Sequence, residues 1–237
     1  MTEDGPVIPT FGQGSECVRE NRTFCPDWVE SSWDTILWPR LVEHVELTAI
    51  AVSIGFAIAF AAALLAYRFG WFEGPFAAAS GLLYTIPSLA LFQLLVPITG
   101  LTVTTVEIAL VSYTLLILFR NILSGLRSAP PEVLDAARGM GLTRAQTLLR
   151  VELPLAVPAI VAGIRIATVT TISLATVAAF VLPEGLGQPL LDGLRTFFKT
   201  KFIAAGALAV LLAIAVDAAL VVAQRLVTPW ARAGRAA

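Results

Sequence analysis

The sequence predicts an all-α membrane protein with five transmembrane helices, its N-terminus outside and its C-terminus inside. Three observations lead there. Of 237 residues, 57% are hydrophobic and 14% charged, whereas soluble domains carry about 25% charged residues. Two runs, Leu47 to Ala66 and Gly74 to Val106, hold 20 and 33 residues without a charge, and crossing the hydrocarbon core takes about 20 apolar residues. Arginine and lysine also divide unequally between the two sides that five spans create, and the richer side is expected to be cytoplasmic.

The chain begins with a polar stretch, 1–46, expected outside the membrane. "MTEDGPVIPT" has neither the basic nor the apolar region of a cleaved leader, so insertion is expected to rely on the first span. "CVRENRTFC" contains both cysteines, Cys17 and Cys25. In a compartment that permits disulfides they are expected to bridge; the alternative is a pair of free thiols in a loose tail. Trp28, Trp33 and Trp38 follow. Tryptophan favours the membrane interface, which predicts a short amphipathic helix lying on the outer surface. His44, the single histidine, reads as structural or interfacial. One histidine and two cysteines leave no metal site to propose.

The membrane domain is expected over 47–229, with a short internal tail at 230–237. The first span is 47–66. The next charge-free run is too long for one helix and holds Pro87 and Pro97, so it divides into a second span at 75–97 and a third at 102–119 that admits Glu107. The fourth, 155–182, contains Arg165, and the fifth, 202–224, contains Asp217. Nine arginines (68, 120, 127, 138, 144, 150, 225, 232 and 235) then share one side, against Arg19, Arg22, Arg40, Arg195, Lys199 and Lys201 on the other. The nine-arginine side is the predicted inside.

Ionisable residues within spans are costly and face a partner or a wet cavity. Counting 1.5 Å per residue, Arg165 lies roughly 15 Å above Leu155 and Asp217 roughly 12 Å above Arg225. Equal depth on consecutive helices predicts an Arg165–Asp217 ion pair, the competing reading being an arginine that faces the pathway. Glu107 either attracts a cation or is satisfied by Ser112, Tyr113 or backbone. In "YTIPS" Pro87 frees a carbonyl that neighbouring polar side chains can repair. The segment is then either a packed kink or a pathway lining, with Tyr84, Pro87, Ser88 and Gln93 near a gate.

Between the third and fourth spans, "PPEVLDAARGMGLTRAQTLLRVELP" (130–154) turns polar and helix-forming. Pro130 and Pro131 suit a first helical turn, and Glu132 and Asp135 sit near its positive end. "GMG" at 139–141 breaks the helix. Thr143 and Gln146 have capping-box spacing and start a second short helix, which Pro154 is expected to end. Two helices this short are marginal alone, which implies a soluble partner to pack on.

Asp135-Ala136-Ala137, three residues, Gly141, nine residues, then Val151-x-Leu153-Pro154 resembles the "EAA" loop of permease subunits of bacterial ABC importers. The spacing is complete; aspartate replaces glutamate and valine replaces isoleucine. From about Glu43 onward, "YTIPSLALFQLLVPITG", "DAARGMGLTRAQTLLRVELPLAVPAIVAGIRIATV" and "GLGQPLLDGL" are similar to the glycine betaine/carnitine/choline (osmoprotectant) branch. "LPEGLG" at 182–187 departs from it, as does the long outer tail with two cysteines, a possible contact for the binding protein. The resemblance implies the type I ABC importer permease fold in a bacterial plasma or inner membrane. It implies that 130–154 couples to an ATPase and that the chain imports a compatible solute by alternating access. Expected partners are two ATPase subunits, a second permease copy or paralogue, an extracytoplasmic substrate-binding protein and the lipid bilayer.

No GxxxxGK[ST] loop is present, so ATP and Mg are expected on the separate ATPase chain. No nucleophile–base pair accompanies His44, so no catalytic role is expected. A net charge of −1 argues against a nucleic-acid partner. The alternatives are a permease for another amine or amino acid, or an ATP-independent channel or carrier, whose inverted repeats fit five spans and one helix–turn–helix poorly.

Overall fold

The computed structural model describes residues 15–228; the tail expected at 230–237 lies outside the described residues. The regular elements are α1 (Glu16–Arg19), α2 (Pro26–Ser32), α3 (Trp38–Arg68), α4 (Glu73–Thr85), α5 (Ser88–Thr99) and α6 (Val103–Leu126). They continue with α7 (Pro131–Gly139), α8 (Arg144–Thr147), α9 (Leu153–Ala178), α10 (Gly187–Arg195) and α11 (Lys199–Val227). Among the described residues, four continuous helices are long and apolar enough to cross a membrane: Pro26–Arg68, Val103–Leu126, Arg144–Ala178 and Lys199–Val227. A fifth apolar segment is broken, with α4 and α5 meeting at 101°.

The centre is a three-helix packing of α3, α6 and α9. Ala59, Ala62 and Ala63 of α3 meet Leu118, Phe119 and Ile122 of α6 and Ala156 and Ile160 of α9. Small residues on these faces let backbones approach, the packing solution available where lipid removes the hydrophobic drive. Gly163 shows the limit: a Cβ there would sit 2.6 Å from the Asn121 Cβ, so α9 lies against α6 only with glycine at this position. A second cluster joins Leu47 and Ala51 to Phe92, Leu110, Tyr113 and Ala175. The last helix, α11, is peripheral; Val210, Leu211 and Ile214 are exposed.

Several boundaries differ from the sequence expectations. The expected surface helix and first span form one continuous helix, Pro26–Arg68, so no boundary falls at 46/47. A π-helical turn at Trp33–Leu37 joins α2 to α3, where the Trp38 N–H donates to the Trp33 carbonyl. The second such turn, Leu148–Glu152, joins α8 to α9 through Leu153 N–H and the Leu148 carbonyl. Each precedes by two residues a proline, Pro39 or Pro154, that lacks an N–H. Each proline falls in the first two positions of the α-helix that follows, where a missing N–H is tolerated. Pro154 therefore does not end a helix, and α8 runs on into the fourth span.

The predicted helix at 75–97 is not one kinked span. Ile86 is extended (ψ 129°), as the residue before a proline prefers, and the chain turns sharply there. The helix α10 was not expected at all: two glycines and a proline in "GQPLLDGLR" obscure its period.

Nor is the N-terminal stretch loose. Cys17 and Cys25 are disulfide-bonded, and Cys25 is fully buried with Val18 and Phe198. The Cys25 N–H donates to Thr200 Oγ1 at 3.0 Å, the Asn21 amide donates to the Phe197 carbonyl at 2.8 Å, and Lys199 N–H donates back to Asn21 Oδ1 at 3.1 Å. These contacts cap the start of α11. Nearby, His44 is fully buried. Its Nδ1 accepts the Leu186 N–H at 3.3 Å, which leaves the proton on Nε2, 3.0 Å from the Ile172 carbonyl. The ring thus ties α3 to α9 and to the loop before α10. Arg40 reaches the Pro183 carbonyl and Glu43 at 2.8 Å each, so the unusual "LPEGLG" segment is clasped by α3.

Candidate functional site

The segment 130–154 is a helix, a glycine turn and a second helical turn. Pro131 opens α7. At its end Leu142 N–H donates to the Ala137 carbonyl at 3.1 Å and Gly141 N–H to the Arg138 carbonyl at 2.9 Å. That pair of bonds, with Gly141 at φ +77°, is a Schellman motif. It explains the spacing: Ala137 supplies the accepting carbonyl, and the glycine four residues on supplies the left-handed turn. Ala137 is buried, while Asp135 and Ala136 are exposed. Asp135 pairs with Arg138 at 3.0 Å in full solvent, an arrangement worth little by itself. Thr143 and Gln146 then close a capping box.

The outer face of this segment is incomplete alone. Met140 and Leu149 are 73% and 63% exposed, and Val133 is 40% exposed, amid Glu132, Arg138, Arg144 and Arg150. Exposed apolar side chains interspersed with charged ones are the composition of a protein-binding surface. Leu153 and Pro154, at the start of α9, are partly buried, and Glu152 is buried beside Tyr67 of α3. The segment thus joins the membrane core rather than hanging from it.

The second candidate region is the α4–α5 bend. Thr85 Oγ1 donates to the Leu82 carbonyl at 2.8 Å, a local repair. The Ile86 carbonyl is met by the hydroxyl of Tyr113, which comes from α6. Tyr113 also stands edge-on to Tyr84, ring centroids 6.0 Å apart. Pro87 caps α5, Ser88 is partly buried and Gln93 is exposed. Nothing adjacent in sequence marks Tyr113 as the residue that holds the bend. Only its spacing to neighbouring core positions Val106 and Leu110, which places it on an inward face, carries a hint.

Glu107 departs from one of its two readings. Ser112 Oγ donates to the Ile108 carbonyl at 2.7 Å, and Tyr113 is engaged with Ile86. Both carboxylate oxygens of Glu107 are buried without a hydrogen-bond partner among the described residues. Ser112, Tyr113 and backbone therefore do not satisfy it. Arg165 and Asp217 stand together as a bidentate pair, Nε to Oδ1 2.8 Å and Nη2 to Oδ2 2.9 Å, across α9 and α11.

Residues 48–232 match the family described as binding-protein-dependent transport system inner membrane component. An osmoprotectant import permease of Salmonella typhimurium is 38% identical over 79% of this chain and 89% of its own. A glycine betaine/carnitine/choline transport system permease of Bacillus subtilis is 34% identical over 79% and 86%. Among solved structures, a methionine ABC transporter in inward-facing conformations superposes with a TM-score of 0.73 at 22% identity, covering 84% of this chain and 98% of that one. At that identity the likeness is one of fold.

Proposed function

The chain belongs to the family of binding-protein-dependent transport system inner membrane components, and on that premise we propose which solute it moves and how. Its fold is that of a type I ABC importer permease, a non-catalytic membrane subunit. The proposed solute is a quaternary ammonium compound: glycine betaine, carnitine or choline. Two relatives whose names carry osmoprotectants or these very compounds support this reading. ATP and Mg are assigned to a separate ATPase chain. The assembly is proposed to hold two such chains, a second permease copy or paralogue, and an extracytoplasmic binding protein. The arginine distribution supports an outer N-terminus and an inner C-terminus.

One observation carries the mechanism: the exposed apolar surface at Val133, Met140 and Leu149, interspersed with charge, belongs to a segment continuous with a membrane helix. An ATPase seated there would move α7 and the 144–152 turn together. Because Arg144–Ala178 is one helix, that displacement reaches the membrane core without a hinge at Pro154. Alternating access would follow as α9 and its neighbour α6 tilt. The α4–α5 bend, braced by Tyr113, lies against the same α6 and is the proposed site of gating, with Tyr84, Ser88 and Gln93 beside it and Glu107 on α6 itself.

Co-purification of detergent-solubilised protein with its ATPase tests the coupling. Nothing lies within 4 Å of where a Cβ would stand on Gly141, so Gly141→Asp is expected to fold, at a conformational cost of about 1–2 kcal/mol. It should nevertheless lose the ATPase. Retention of the ATPase by a folded variant would remove this segment from the interface, and absence of any ATPase with wild type would overturn the importer reading.

A further inference from the structure

A groove of about 460 Å³ opens along Phe24, α2 and the π-helical turn after it, lined by Phe24, Pro26, Val29, Glu30, Trp33 and Asp34. It is separate from the coupling segment and from the α4–α5 bend. From its aromatic and acidic lining we infer that this groove binds a cationic trimethylammonium group before the solute enters the membrane domain. The inference rests on the proposed quaternary ammonium solute.

Three features converge. Phe24 and Trp33 are 48% and 37% exposed, offering aromatic surface, and aromatic faces attract quaternary ammonium through their quadrupole. Glu30 and Asp34 are four residues apart, a spacing at which like charges repel. Neither has an ion-pair partner among the described residues. A bound cation would relieve that repulsion.

The walls are also held in place without a ligand. The Cys17–Cys25 bridge and the Cys25–Thr200 bond fix the backbone beside Phe24. Trp28 packs edge-on to Phe198 at 5.1 Å, and Trp33 rests against Trp38 at 6.5 Å. A preformed site loses less entropy on binding. The two carboxylates make the groove selective: they favour choline and oppose the carboxylate of a zwitterion such as glycine betaine.

Trimethylammonium reaches such a groove as a free solute or on a lipid headgroup. The test is a ligand-observed NMR titration of choline against the full-length protein in phosphatidylglycerol nanodiscs. Saturable binding is expected, weakened at least about tenfold by Trp33→Leu and by the pair Glu30→Gln/Asp34→Asn, and retained in Trp33→Phe. The uncharged isostere 3,3-dimethylbutanol and glycine betaine should both bind more weakly than choline. Choline displaced when phosphatidylcholine is added to the discs assigns the groove to a headgroup; choline undisturbed assigns it to free solute. Equal binding by the variants, or by the isostere, overturns the inference. So does a variant pair that leaves choline binding intact but weakens capture of the purified binding protein, which would make this a protein dock. Uptake of choline and co-purification of an ATPase report on the importer reading independently, so the groove can fail while that reading stands.

Discussion

At the scale of single residues, the charged groups are the most sharply constrained. Arg165 and Asp217 hold each other by two hydrogen bonds on helices that meet lipid. Removing one partner leaves the other an unpaired charge within a membrane-spanning helix, which is costly. Arg165→Gln and Asp217→Asn are each expected to lower the yield of folded protein several-fold. The exchanged pair Arg165→Asp/Asp217→Arg should recover part of it, as size-exclusion profiles would show. No recovery would mean the geometry, not the charge pairing, matters. Glu184 behaves differently. Burial and then the neighbouring Glu43 carboxylate raise its pKa, with Arg40 opposing. A carboxyl whose folded pKa is raised binds its proton more tightly when folded. Its contribution is therefore full below the ordinary glutamate value of about 4.3 and is lost as pH rises through the folded value. Because the site is partly exposed, the effect is expected to stay under about 1 kcal/mol. Glu184→Gln should flatten the fall of melting temperature with rising pH across that window; an unchanged slope would place the dependence elsewhere.

At the scale of elements, proline did less breaking than its reputation suggests. Pro39 and Pro154 each sit just inside a long helix, preceded by a widened turn. Pro87, by contrast, separates two helices by 101°. The difference lies in the partners. At Pro87 the extended Ile86 leaves a carbonyl that Tyr113 can reach from α6, so the bend is stabilised by a tertiary contact. Tyr113→Phe leaves that acceptor unsatisfied and is expected to cost about 1–3 kcal/mol. Titration with a denaturing detergent would measure it, and hydrogen exchange should rise locally over 84–89. A silent variant would mean water or backbone takes over the acceptor. The glycine turn and the capping box of the 130–154 segment were legible because they are local: Gly141, Thr143 and Gln146 close rings within a few residues, whereas the passage of the second helix through Pro154 was not. Nor was Glu107, because what surrounds a side chain on α6 depends on helices 50 residues away.

At the scale of the whole molecule, the N-terminal stretch is part of the membrane domain's architecture. Asn21 and Cys25 bond to the first turn of α11, so the start of the described chain secures the start of its last helix. Removing a bridge across so short a loop costs roughly 2–3 kcal/mol by chain-entropy reasoning. Cys17→Ser/Cys25→Ser is therefore expected to speed proteolysis at 15–25 while leaving co-purification with an ATPase intact. Loss of both would show that the stretch supports the entire fold.

Composition and local order alone determined that the chain lives in a bilayer, roughly where its apolar segments lie, and that 130–154 forms a capped, glycine-turned unit. Those properties depend on hydrocarbon thickness and on hydrogen bonds between near neighbours. The family resemblance was likewise carried by short motifs of fixed spacing. Tertiary structure decided what has no local signature: the turn at Pro87, the passage of two helices through proline, the short α10, the docking of the tail on α11, and the unpartnered carboxylate of Glu107. At the Pro87 bend and in the docking of the tail on α11, the deciding donor or acceptor comes from a distant segment, and no short window along the chain contains it.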